Sequence, residues 1–138
     1  RRDGTTLICV TLTAPGNWAD HTSLFDWGFA NYRVGLLTQA GERVGQLPVY
    51  SGLVPVCPVT TEESLSAALD PEERVEVCFE LTETAFTAPV ERGTQVGEAV
   101  CYVNGKELLR TPLVSGESVP GAAAPERGGW LWRNVFKN

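Results

Sequence analysis

The side chains of this chain that could do chemistry are few and scattered. Four cysteines, Cys9, Cys57, Cys78 and Cys101, form no C-x-x-C pair, so the spacing of a zinc site or of a thioredoxin-type redox motif is missing. In an exported protein four thiols admit two disulfides in three connectivities, among which sequence does not choose; buried, mostly reduced cysteines are the reading favoured. The single histidine, His21, has no second histidine or motif around it and reads as a solvent-facing residue rather than a general base. Lys106 stands beside Asn104-Gly105, where a hairpin lysine is usually a plain turn residue. No catalytic, cofactor-binding or metal-ligating residue is assigned on these grounds, and no cofactor is expected. The formal charge of -6 repels a nucleic acid backbone, and no basic, aromatic-interleaved patch offsets it, so nucleic acid is excluded as a partner.

The elements that would position any site follow from patterning. At 138 residues, 43% apolar and 20% charged, the chain has the length and composition of about one globular domain. Met is absent, which predicts a fragment or processed piece, and no apolar run approaches the ~18 residues of a spanning helix. Residues 7–12, Leu-Ile-Cys-Val-Thr-Leu, bounded by Gly4 and Pro15, read as a strand covered on both faces, yet the six residues before them supply nothing to pair with. "GNWADHTSLFDWGFANY" then reads as a helix with Asn17 as N-cap and Asp20 in the first turn. Its Trp18, Leu24, Phe25 and Phe29 form an apolar stripe expected to lie on a sheet.

From Tyr32 onward the pattern is β. Val34–Leu37, the turn Gln39–Glu42 and Val44–Tyr50 read as strand, turn, strand, and further strands are expected at 53–59, 74–81, 96–103 and 107–114. A helical turn is the most that 62–68 suggests. In "RVEVCFEL", Val75, Val77, Phe79 and Leu81 alternate with Glu76, Cys78 and Glu80, so one face should be core and the other wet. Asn104-Gly105 is a strong type I′ hairpin signal, because both central residues need positive φ. An internal echo joins "AGERVGQLPVY" at 40–50 to "RGTQVGEAVCY" at 92–102. Gly41 and Gly93 are its turn residues, Val44 and Val96 should point to the core, and Gly45 and Gly97 should mark bulges or close backbone approach. Two copies suggest quasi-symmetric halves of a sandwich. Such strands also resemble the barrel-sandwich hybrid of biotinyl and lipoyl carrier domains, but the Met-flanked lysine of those domains cannot exist in a chain without Met.

Over Arg2 to about Glu117 the chain resembles another family. "RDGTTLICVTLTAPGNWADHTSLFDWGFANY" looks like the closing strand and helix of the penicillin-binding domain of serine-type D-alanyl-D-alanine carboxypeptidases, the low-molecular-mass penicillin-binding proteins. "AGERVGQLPVYSG" and "FTAPVERGTQVGEAVCYVNGKELLRTPLVSGE" resemble their β-rich C-terminal domain, with "AP" at Ala88-Pro89, "VG" at Val96-Gly97 and "PLV" at Pro112 to Val114. The resemblance implies a mainly β fold: an antiparallel β-sandwich over 32–117, preceded at 1–31 by one strand and one α-helix left from an α/β catalytic domain. It implies a parent enzyme of the cell wall, exported to the outer face of the bacterial cytoplasmic membrane, that trims terminal D-alanine from peptidoglycan stem peptides through an acyl-serine.

The family's S-x-x-K, S-x-N and K-T-G motifs are all missing. Ser23, Ser51, Ser64, Ser66, Ser115 and Ser118 have no lysine three positions on, and neither Ser-x-Asn nor Lys-Thr-Gly occurs. No catalytic residue is carried over, and this chain alone is expected to be inactive. It would act as a spacer, a membrane-proximal element or an interaction domain, the alternative being a stand-alone β-sandwich binding module. Residues 1–31 are expected to be covered by the catalytic portion or, without it, to self-associate.

Residues 118–138 are a linker and a short tail carrying +2, so the remainder holds -8. At 100° per residue Leu131, Trp132, Val135 and Phe136 share one side of the tail. Arg133 and Lys137 share the other, with Trp130 at the boundary. Such an end reads as an interfacial anchor making peripheral membrane contact, against the alternative of a helix docked on the protein's own surface.

Overall fold

The computed structural model describes residues 1–10, 12 and 16–123. The alternating, β-branched stretches become eight strands after one helix. They are α1 (Asn17–Asn31), β1 (Arg33–Thr38), β2 (Arg43–Tyr50), β3 (Val56–Thr61), β4 (Leu65–Leu69), β5 (Val75–Leu81), β6 (Phe86–Thr87), β7 (Gln95–Val103) and β8 (Lys106–Ser115). The mainly β class read from the sequence is the observed one. Six strands form one sheet in the order β5-β7-β8-β3-β2-β6, and β1 pairs with β4 in a second, two-stranded sheet. All pairs are antiparallel except β2 with β6, which run parallel at Val49↔Phe86 and Tyr50↔Thr87.

The core is gathered by the inward faces of β2, β3, β7 and β8, through Leu47, Cys57, Val59, Val96, Ala99 and Leu113, and is closed by Phe86, Val90 and Val119. The echo maps onto two hairpins. β2–β3 and β7–β8 are each antiparallel, and they meet at an antiparallel β3–β8 seam, Val59↔Ser115 to Thr61↔Leu113, which gives the sheet an approximate two-fold relation. Register shifts fall between Arg43 and Gly45 and between Gln95 and Gly97, so both second glycines lie at bulges.

Several local expectations are corrected by tertiary pairing. β1 and β2 do not form a hairpin; the turn between them hands the chain from one sheet to the other. Gly41 N–H donates to Thr61 O at 2.8 Å, the Thr61 hydroxyl donates to Gln39 O at 2.6 Å, and Ala40 N–H donates to the Ser64 hydroxyl at 2.8 Å. Residues 65–69 are a strand rather than a helical turn, because β1 presents a ladder for them. In β5, Val77 packs against the core, but Phe79 and Leu81 stay half-exposed, since β5 is an edge strand whose far end outruns the cover.

The N-terminal segment departs most. Residues 7–10 form no ladder, and Ile8 and Leu12 are 88% and 89% exposed. The alternation survives without a sheet: Leu7 and Cys9 are half-buried while Ile8 and Val10 face out. α1 starts one position earlier than expected, with Gly16 at the N-cap and Asn17 as its first residue. Its stripe does not rest on a sheet; Trp18, Leu24 and Trp27 are exposed, while Phe25 and Phe29 are half-buried. His21, expected in solvent, is half-buried and edge-on to Phe25, centroids 6.4 Å apart.

Candidate functional site

Two surfaces bring side chains together. The first is built on the N-terminal segment and α1. Asp3 and Gly4, with φ of 47° and 82°, turn the chain so that Arg2 and Thr5 exchange backbone hydrogen bonds at 3.0 and 2.9 Å. That turn holds the Arg2 guanidinium 4.8 Å from the centroid of the Phe29 ring and 3.4 Å from an Asp26 carboxylate oxygen. Buried Thr5 accepts a hydrogen bond from Val34 N–H at 3.2 Å, which ties the turn to the start of β1. Gly28 lets Leu7 come close, since a Cβ there would lie 2.6 Å from Leu7 Cδ1. Beside this contact runs an open groove of about 350 Å³, lined by Leu7, Val10, Leu24, Phe25 and Trp27 among others. Its lining offers shape and apolar area but no nucleophile paired with a base.

The second surface is the outer face of β5, β7 and β8. Arg110 donates to Glu107 at 2.6 Å and to Glu98 at 2.7 Å, bridging two strands. The two carboxylates push the guanidinium pKa further up from its already high ordinary value. Tyr102 lies opposite Glu76 on one side and Glu107 on the other. Loss of hydration, then the charges of Glu80 and Glu107, raise its phenol above the ordinary value of 10.0. This is an ion-pair lattice on a half-wet sheet face, and nothing in it is arranged for proton transfer to a substrate.

The residues singled out from the sequence fall as follows. Gly41, Gly93, Asn104 and Gly105 occupy turns with φ of 78°, 88°, 51° and 79°. Lys106 is exposed at the start of β8. All four cysteines are free; Cys57 and Cys101 are buried in the core, Cys9 is half-buried and Cys78 exposed, so the expectation of burial holds for two of the four. Burial raises the Cys101 thiol pKa, which keeps it protonated and unreactive. Among the described residues no three His, Cys, Asp or Glu side chains form a group able to hold a metal ion, and no helix is long and apolar enough to cross a membrane. The proposed anchor residues Trp130, Leu131, Trp132, Arg133, Val135, Phe136 and Lys137 lie outside the described residues. Sequence reading missed the Arg110 bridge and the Arg2–Phe29 contact, because their partners come from other elements and leave no local spacing; charge alternation along β8 was the only available hint.

Comparison with known proteins places this geometry. The chain is 26% identical over 118 residues to the D-alanyl-D-alanine carboxypeptidase DacA of Haemophilus influenzae, an alignment covering 78% of this chain and 28% of that protein. It is 29% identical to the D-alanyl-D-alanine carboxypeptidase DacD of Salmonella typhimurium, covering 82% and 30% respectively. The chain therefore spans under a third of the length of these relatives. A crystal structure of penicillin-binding protein 5 from Haemophilus influenzae superposes with a TM-score of 0.61 at 22% identity, covering 74% of this chain and 30% of that one. The curled six-stranded sheet, its two bulged hairpins and the β1–β4 pair all lie within residues 32–121, the stretch that matches the family model for the C-terminal domain of penicillin-binding protein 5, and the chain belongs to that family.

Proposed function

We propose that this chain is the non-catalytic C-terminal region of a serine-type D-alanyl-D-alanine carboxypeptidase. The parent enzyme would remove the terminal D-alanine from peptidoglycan stem peptides through an acyl-serine intermediate, outside the bacterial cytoplasmic membrane. The observation that carries this reading is the family match over residues 32–121, together with relatives named for that activity. The absence of S-x-x-K, S-x-N and K-T-G from the chain assigns the chemistry to another part of the protein. The outward row of Ile8, Val10 and Leu12, with Trp18 and Trp27 on α1, is the apolar area the catalytic portion would cover. A second copy of the chain would cover it when that portion is missing. The amphipathic tail 130–138 would hold the domain at the outer membrane surface, weakly and reversibly, since nine residues bury few side chains.

Expression of the chain with its upstream coding sequence tests this reading. The longer product is expected to be labelled covalently by a fluorescent penicillin and to release D-alanine from a D-alanyl-D-alanine peptide, and the 138-residue chain to do neither. Labelling of the short chain, or upstream sequence without the three motifs in order, would replace this reading with that of a stand-alone β-rich binding module.

A further inference from the structure

Three uncharged stretches converge at one end of the six-stranded sheet. No Asp, Glu, Lys, Arg or His occurs in residues 44–61, 85–90 or 118–123, although one residue in five of the whole chain is charged. They meet through backbone pairing. β6 runs beside the end of β2, Ala88 N–H donates to Tyr50 O at 2.9 Å, Val90 and Val119 exchange bonds at 2.8 and 2.9 Å, and Gly52 bridges Gly121.

The tip of this end is the β2–β3 loop, and it is apolar and outward. Tyr50 and Leu53 are 64% and 65% exposed, and Val54 and Val56 also stand in solvent. The loop is held in place rather than loose: Val49 N–H donates to Pro55 O at 2.8 Å, Leu53 N–H to Pro120 O at 3.0 Å, and Ala122 N–H to Ser51 O at 2.7 Å. Gly52 is clamped as well, because a Cβ there would lie 2.8 Å from Val49 Cγ1 and 3.0 Å from Val119 Cγ1. Exposed apolar side chains on a fixed, charge-free tip mark an interaction surface.

We infer that the Tyr50–Val56 loop inserts shallowly into a lipid surface, as a second contact beside the tail. This rests on the reading of the tail as an anchor. Two facts choose lipid over a protein partner. The segment that pins the loop, 119–122, is the same segment that leads out toward the tail, and the seven Cα-to-Cα steps from Ala123 to Trp130 span at most about 25 Å. Loop and tail can therefore meet one plane. The body carries strong negative charge, so an uncharged end is the face that can approach an anionic bilayer without repulsion. A single short amphipathic element binds membranes only marginally, and a second apolar contact multiplies its retention.

Co-sedimentation of the full chain with phosphatidylethanolamine–phosphatidylglycerol vesicles tests this. The double variant Leu53→Asp/Val54→Asp is expected to lower partitioning about tenfold while leaving the circular dichroism melt unchanged, because both side chains already face water. Leu53→Trp is expected to raise it. Vesicle binding by residues 1–31 is common to all these chains and cancels in the comparison. Equal binding by the double variant and its parent overturns the inference; if a chain ending at Gly129 loses binding in that same experiment, the tail reading stands alone. Loss of binding by the double variant with none on truncation at Gly129 removes the tail as an anchor and so overturns the inference of a second contact beside it. Protease protection of the tail that disappears in the double variant without vesicles would show that the loop docks the tail instead, and also overturns the inference.

Discussion

Gly97 of β7 lies against the carbonyl oxygen of Glu80 on β5, so that a Cβ on Gly97 would fall on that oxygen and within 2.9 Å of Leu81 Cα. At Gly45, its counterpart in the sequence echo, a Cβ would meet nothing within 4 Å. Gly97→Ala must displace backbone and is expected to cost about 2–3 kcal/mol. Gly45→Ala meets open space without a positive φ and should lie within about 1 kcal/mol of the parent, on the stabilising side if the loss of unfolded-state entropy dominates. Urea unfolding of the two variants checks the contrast, and equal costs would disprove it.

Asn104 does more than turn the β7–β8 hairpin. At a φ of 51° its Oδ1 accepts from Arg74 N–H at 3.1 Å, and its own N–H donates to Arg74 O at 2.9 Å, tying the hairpin tip to the segment entering β5. Asn104→Asp keeps the acceptor and is expected to change stability by less than about 0.5 kcal/mol, whereas Asn104→Ala loses it at a positive φ and should cost about 1–2 kcal/mol. Thermal melts of both variants provide the measurement.

Ser115 is fully buried and its hydroxyl is used twice, donating to Glu91 O at 2.6 Å and accepting from Thr94 N–H at 3.0 Å. Ser115→Ala removes two hydrogen bonds that tie the Gly93 turn to β8, although the Glu91 carbonyl keeps the bonds it accepts from the Thr94 hydroxyl and N–H at 2.6 and 3.2 Å. A loss of about 1–3 kcal/mol is expected, with faster amide hydrogen exchange confined to residues 91–94 before global unfolding.

Tyr102 supplies a pH dependence with a defined sign. Its folded-state pKa is raised, first by loss of hydration and then by Glu80 and Glu107, so the folded state holds the phenolic proton more tightly than the unfolded chain does. The resulting stability is complete below the unfolded value near 10.0 and is lost as pH rises through the higher folded value. Absorbance titration at tyrosinate wavelengths should show one late-ionising phenol, absent in Tyr102→Phe. Salt should move that phase down only in part, because screening weakens the carboxylate contribution but leaves the burial contribution in place. A Tyr102→Phe chain with the same alkaline stability profile as the parent would refute the assignment.

The sequence by itself determined the β class, the positions of most strands and the absence of the carboxypeptidase motifs, because period-two alternation, Asn-Gly turns and short motifs are local properties of the chain. It also pointed to bulges at Gly45 and Gly97 and to core-facing Val44 and Val96. Tertiary structure alone decided which strands pair, which is why β1 joins β4 rather than β2 and why Phe79 and Leu81 on the edge strand stay half-exposed. It decided that two equivalent glycine positions face open space in one case and a backbone oxygen in the other, and it assembled the uncharged end from three distant stretches. The alternation of residues 7–10 persists without any ladder, since a hydrophobic period sets which side a residue faces but not whether anything covers that side. Cover and pairing depend on sheet curvature and on elements far away in sequence, where local patterning carries no information.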